Sequence, residues 1–238
     1  MKLVNKEEKT VKTKKPSNLI VVAILVGVGL LGIVAFGIFR DFDAQEYVDA
    51  ILQQTFKGNV KTATELTEGT TEEELLAQYE EGIDSFVAGN ITGNAEMDDE
   101  LKEKYVALCK EIFGAAKFEV KEAEKISRKE YKVPVEYYTT NIFAEFTESV
   151  NQEVQRLVEK VNQGEYVGTE EEIQEQMQKE LSENAYKILE DAYKEAECAE
   201  KETMIFTVKK GASDLFTVDD AQVHKFVVKI MGLDEIQD

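Results

Sequence analysis

The chain has no tryptophan, two prolines (Pro16 and Pro134), two cysteines (Cys109 and Cys198) and one histidine, His224. Each scarcity removes a class of explanation. Two cysteines do not make a disulfide-dense scaffold. One histidine leaves a zinc site with the usual nitrogen and sulfur ligands short of donors. Few prolines suit long helices. Basic residues are also in the minority, with 28 Lys and Arg against 48 Asp and Glu, a net of −20. Beyond residue 40 the imbalance widens to 21 against 46, a net of −25. That field repels nucleic acid, whose binding needs cations to displace counterions, and it repels anionic wall polymers. The partners it admits are a cationic or protein partner, although a Glu-rich surface also serves solubility alone. No Gly-x-Ser-x-Gly, Ser-x-x-Lys, His-Glu-x-x-His or P-loop motif occurs.

What the sequence does have is one long apolar run, LIVVAILVGVGLLGIVAFGIF, residues 19–39, with no charged or polar side chain. Twenty-one residues at about 1.5 Å each span the hydrocarbon core of a bilayer. A cleaved signal peptide has a shorter apolar region, about 7–15 residues, so the run reads as a retained anchor. Lys2, Lys6, Lys9, Lys12, Lys14 and Lys15 precede it, and Asp41, Asp43 and Glu46 follow Arg40. Positive flanks stay in the cytoplasm. The expected division is a cytoplasmic basic tail over 1–18, a transmembrane helix over 19–39 and an extracytoplasmic domain over 41–238.

Within that domain the spacing predicts helices first. Asp43 opens one with Tyr47, Val48, Ile51, Leu52 and Phe56 on a face and Gly58-Asn59 at its end. Thr71 and Glu74 form a capping box before Leu75, Leu76, Tyr79, Ile83, Phe86 and Val87, closed by Gly89-Asn90. A third helix, from about Asp98 to Phe113, turns Leu101, Tyr105, Leu108, Cys109 and Ile112 inward. The period then changes to two. Lys117 to Lys125 carries Phe118 and Val120, and Lys129 to Thr139 alternates Tyr131, Val133, Val135 and Tyr137 with polar residues, so a hairpin through Ser127-Arg128 is expected. Pro134 cannot donate to a ladder, which points to a free edge there.

Two long helices follow. One carries Phe143, Phe146, Val150, Val154, Leu157 and Val161 and ends at Gly164. The other starts at a Thr169–Glu172 capping box and lines up Ile173, Met177, Leu181, Ile188, Leu189, Ala192 and Ala196. They read as an antiparallel helical hairpin. A strand at Met204, Phe206 and Val208, a turn at Gly211, a short strand near Leu215–Val218 and a helix with Val223, Phe226, Val227 and Ile230 complete the chain. Both cysteines are expected on inward-packing helices, as buried thiols or as a pair. GTTEEELLAQYEEGI (69–83) and VGTEEEIQEQMQKEL (167–181) are alike, mostly in helix-start chemistry.

DAQEYVDAILQQTFKGNVKTATELT (43–67) resembles the opening of extracytoplasmic domains that follow anchors or lipoprotein signals in Gram-positive bacteria. It is also similar to the start of nuclear-transport-factor-2-like and cystatin-like domains. The resemblance implies a secreted binding or accessory domain and carries no catalytic residue across.

The chemistry-bearing residues are few. His224 stands alone, without a nucleophile motif. Glu96-Met97-Asp98-Asp99-Glu100 offers oxygen ligands but lacks EF-hand spacing, and acids in a helix's first turn answer to its dipole. Tyr131, Tyr137 and Tyr138 could form a sugar platform; the first two alternate with valines and read as core, whereas Tyr138 points the other way and is the candidate exposed contact. No residue is assigned a catalytic, cofactor-binding or metal-ligating role, and no cofactor is expected. The expectation is an α+β domain on a single N-terminal transmembrane helix. It has a small antiparallel sheet of about four strands and a long helical hairpin inserted between strand pairs. Its expected role is non-catalytic, in binding or in envelope structure, with a cell-envelope hydrolase using paired carboxylates as the alternative.

Overall fold

A computed structural model of the protein describes residues 42–67, 69–92, 97–211 and 215–234. The basic tail and the apolar run at 19–39 lie outside the described residues, and among the described ones no helix is long and apolar enough to cross a membrane. The fold is α+β, with a five-stranded antiparallel sheet.

Helix α1 (Ala44–Lys57) starts where the Asp43 carboxylate accepts the N–H groups of Gln45 and Glu46. It stops at Gly58, whose φ of +60° suits a residue without Cβ. A Cβ there would also lie 2.7 Å from the Tyr79 ring, so Gly58 lets the next helices close on α1. After the short α2 (Lys61–Leu66), α3 (Glu72–Phe86) opens with the expected reciprocal Thr71–Glu74 cap. It does not close at Gly89-Asn90. Val87–Ile91 continues it as a π-turn, because Val87 and Ile91 are apolar and buried and the Asn90 amide donates to the Phe86 carbonyl at 3.1 Å. Helix α4 (Asp99–Gly114) follows.

The sheet comprises β1 (Phe118–Val120), β2 (Glu124–Ser127), β3 (Glu130–Thr140), β4 (Cys198–Lys210) and β5 (Phe216–Val218). The expected single strand over 117–125 is two, β1 and β2, sharing one side of β3, so the described residues hold five strands rather than four. Pro134 explains the break. It sits in a central strand, not at a free edge: β4 pairs with it on one side through Ile205. On the other side β1 ends opposite Val135 and β2 begins opposite Lys132. The missing N–H therefore falls in the gap between β1 and β2, where no ladder bond is required, while the Pro134 carbonyl accepts from Lys121.

Between β3 and β4 the chain makes the helical hairpin, α5 (Ile142–Gln163) and α6 (Glu170–Lys194), with Gly164 ending α5 and the Thr169–Glu172 box starting α6. Phe143, Phe146 and Val150 join the core near Phe86. Farther out, Leu157 is buried while Val154, Val161, Ile173, Met177 and Leu181 are half-buried. The segments at 69–83 and 167–181 thus serve different ends: α3 packs into the core, and α6 forms the arm.

Helix α7 (Asp220–Ile230) covers one sheet face. Its Phe226 ring meets Phe56, Phe118, Tyr137 and Phe206 at centroid distances of 5.1–6.2 Å. Val133, Val135, Tyr137, Phe206, Val208 and Val218 are buried beneath α1 and α7. The opposite face carries Lys132, Pro134, Glu136, Tyr138, Thr203, Ile205 and Thr207, with Ile205 45 % exposed.

Candidate functional site

Side chains alternate along β3, so burial of Val135 and Tyr137 fixes Glu136 and Tyr138 on the uncovered face. Tyr138 is 37 % exposed, as its phase predicts. Its companions divide as expected: Tyr137 is buried and donates its hydroxyl to Glu202 at 3.1 Å, and Tyr131 is half-buried. Burial, reinforced by the Glu202 carboxylate, pushes the Tyr137 phenol up to about 12.

Tyr138 stands at the rim of a shallow, open groove of about 490 Å³ where α4 ends and β1 begins. The Tyr138 N–H donates to the Lys117 carbonyl at 3.1 Å, which anchors the turn leaving α4. Small residues, Ala115 and Ala116, form part of the wall. Lys57, the last residue of α1, lies 5.2 Å over the Phe118 ring, and Lys117 and Lys201 complete a set of three lysines along the groove. Two carboxylates share the space. Lys121 binds Glu119 at 2.6 Å and Glu136 at 3.0 Å, and Lys201 binds Glu136 at 3.0 Å. Hydrogen bonds from Lys121 and then Lys201 hold the Glu136 carboxyl below the usual range. Glu136 is therefore an ionised acceptor, the opposite of a general acid held protonated. The same face carries Pro134 and the exposed Ile205, so apolar and ionised groups lie side by side on it.

The other residues considered from sequence lie elsewhere. His224 is half-buried on α7. Asp98 is the N-cap of α4, accepting from the Leu101 N–H at 2.8 Å, and Glu96 lies outside the described residues. Among the described residues no group of three or more His, Cys, Asp and Glu is gathered closely enough to hold a metal ion. Cys109 is buried on α4, where burial pushes its thiol up to about 12. Cys198 is not on a helix and not buried: it begins β4 and is exposed, and the two thiols are free. The strand starts six residues before Met204 because its first part is exposed and carries no alternating apolar signal; only pairing with Tyr137–Thr140 extends it. The convergence of Lys57, Lys117 and Lys201 was not readable from sequence, since three different elements supply them. The phase of Tyr138 was the one local pointer to this place.

No protein-family model matches the chain, and no curated protein matches it. Among solved structures, the crystal structure of YcdA from Bacillus subtilis subsp. subtilis str. 168, whose name assigns it to the lipoproteins, is similar with a TM-score of 0.51 at 14 % identity. The likeness covers 79 % of this chain and 56 % of that one, so the chain spans little more than half the length of YcdA. At this identity it is a likeness of fold.

Proposed function

We propose that the protein is a membrane-anchored extracytoplasmic domain with a non-catalytic role, binding a protein partner in the cell envelope through the uncovered sheet face around Tyr138. The observation that carries the binding reading is the asymmetry of the sheet. One face is closed by α1 and α7, and the other leaves Tyr138 and Ile205 exposed beside a groove with three lysines. The anchor and its orientation rest on residues 19–39 and the six preceding lysines. The fold likeness to a protein named as a lipoprotein supports the membrane tether. In the groove Lys121 and Lys201 hold the Glu136 carboxyl below the usual range, so it is not a proton donor for the hydrolase alternative.

Two measurements test this. Protease added to intact protoplasts should remove the domain; removal only after permeabilisation would overturn the orientation. A photo-crosslinking residue at Tyr138 in the cell-expressed chain should give a discrete higher-mass adduct, whereas the same residue at exposed Leu76 on α3 should not. No adduct at Tyr138, or equal adducts at both positions, would overturn the surface assignment.

A further inference from the structure

The end of the sheet that holds Phe42 differs from the rest of the domain. The Phe42 ring stacks on Phe216 at 4.0 Å and meets Tyr131 edge-on at 5.6 Å, so the chain enters the fold at a fixed point. Basic side chains lie beside that point, on the β2–β3 turn and the end of β4. Lys125 Nζ lies 5.5 Å over the Tyr131 ring and Lys210 Nζ 5.7 Å over the Phe216 ring. The Lys210 N–H donates to the Lys129 carbonyl at 2.9 Å, which draws the β2–β3 turn, with Arg128 and Lys129, against the end of β4. Lys209 pairs with Glu130 across the same strands. Lys125, Arg128, Lys129 and Lys209 are exposed, and Ile126 on the turn is 45 % exposed.

This gathering runs against the charge of the whole. Residues 125–132 hold four basic residues and one acid, in a domain whose acids outnumber its bases about two to one. The hairpin is the reverse: residues 142–197 hold 15 acids and five bases. It leaves the sheet from Thr140 and returns at Cys198, the end of β3 and β4 opposite the one that holds Phe42. The 11 residues of β3 separate the two ends by roughly 33 Å.

The position of the basic end has a consequence if residues 19–39 are the anchor, and the inference rests on that reading. The apolar run ends at Phe39, three residues before Phe42. Three residues reach at most about 11 Å. That is about one Debye length at 0.1 M salt, so charges beside Phe42 interact with headgroups while the hairpin's acids, about three lengths farther, are screened from them.

We infer that this end of the domain docks on the bilayer that holds the anchor, with Lys125, Arg128, Lys129, Lys209 and Lys210 among anionic lipid headgroups and Ile126 entering the interface, so that the hairpin is turned away from the membrane. The basic residues supply the attraction, and the short connection holds them where it acts. The exposed isoleucine adds apolar contact at the headgroup boundary.

The test uses the full chain reconstituted in vesicles, with Cys198→Ser and a fluorophore on Ser127→Cys in the β2–β3 turn. Headgroup spin-labelled lipid should quench the fluorophore several-fold more in vesicles with 30 % phosphatidylglycerol than in phosphatidylcholine alone. Quenching should fall when sodium chloride is raised, and fall with Arg128→Gln and Lys129→Gln together. Both positions are exposed, and an unchanged melting temperature of the double variant shows that its fold is intact. A second fluorophore at Val167, at the hairpin tip and 82 % exposed, should remain unquenched in every condition. Quenching that ignores lipid charge, salt and both substitutions would overturn the docking. So would equal quenching at Ser127 and Val167. Failure of the chain to remain with vesicles after alkaline carbonate extraction would instead overturn the anchor, and is scored separately.

Discussion

The outer half of the helical hairpin should come apart before the core, and Glu180 is the residue on which its closure turns. Glu180 sits on α6 and accepts from Lys160 at 2.7 and 3.0 Å, Arg156 at 2.7 Å and the Tyr166 hydroxyl at 2.8 Å, so it ties α6 to α5 and to the loop between them. Glu153 extends the network to Arg156 and Asn184. Hydrogen bonds from Lys160, then Arg156 and Tyr166, lower the Glu180 carboxyl from 4.5 to about 2. The full shift would correspond to about 3 kcal/mol. The side chain is 27 % exposed and solvent screens it, so about 1 kcal/mol is the realistic contribution. A carboxylate whose pKa is lowered on folding stabilises above its ordinary value, and that stability is lost as pH falls from about 4.5 towards 2. Glu180→Gln should therefore speed amide exchange in residues 153–163 and 173–184 about five-fold at neutral pH, the factor that 1 kcal/mol gives. Exchange in α1 should not change. The wild type should lose the same protection progressively as pH falls from about 4.5 towards 2, after correction for intrinsic exchange. Equal acceleration in α1 and the hairpin would show that the two unfold as one unit and refute the argument. So would unchanged exchange in the hairpin.

Two further outcomes follow from the core. Phe226→Ala removes the ring at the centre of four aromatic contacts and should cost about 3–5 kcal/mol in urea unfolding, whereas Phe226→Leu, which keeps most of the buried volume, should cost less than about half of that; a cost under about 1 kcal/mol for the alanine variant would contradict the packing. Maleimide should label one thiol per native chain, at exposed Cys198, and two in denaturant, because Cys109 is buried with its thiol pushed up to about 12; two labels on the native chain would show that α4 opens, and none would show that Cys198 is blocked.

Elements with a buried stripe were legible, because burial writes a period into the sequence. α1, α3, α4, α5 and α7 show it, as do both capping boxes and the inner face of β3. Readings failed where tertiary pairing, not burial, decides the conformation. The first six residues of β4 are strand only because β3 lies beside them, and nothing in their own spacing separates Cys198 from the helix before it. Leu76 has the right spacing for the core, yet it falls just past the edge of the buried stripe of α3 and is 42 % exposed. Pro134 marks a ladder defect in the sequence, but the sheet places the defect inside, against a gap between two short strands. That solution needs a second strand whose register no local pattern encodes.

The candidate surfaces escaped the sequence for a related reason. Lys57, Lys117 and Lys201 are scattered lysines in a chain with 28 basic residues, and nothing marks them until α1, the turn before β1 and β4 are brought together. The basic end beside Phe42 was half visible, since residues 125–132 already stand out against an acidic chain. What folding adds is direction. Antiparallel pairing of β3 with β4 sets Lys209 and Lys210 next to the β2–β3 turn, and it sends the acidic hairpin out of the far end. The chain enters at the basic end, and Tyr138 lies eight residues along β3 from Glu130, about 26 Å away. A domain held at the basic end by the proposed anchor would present its groove and hairpin away from the bilayer, beyond the reach of headgroup charge. The basic minority then orients the domain, and the acids of the hairpin, out of range of the headgroups, do not oppose that orientation.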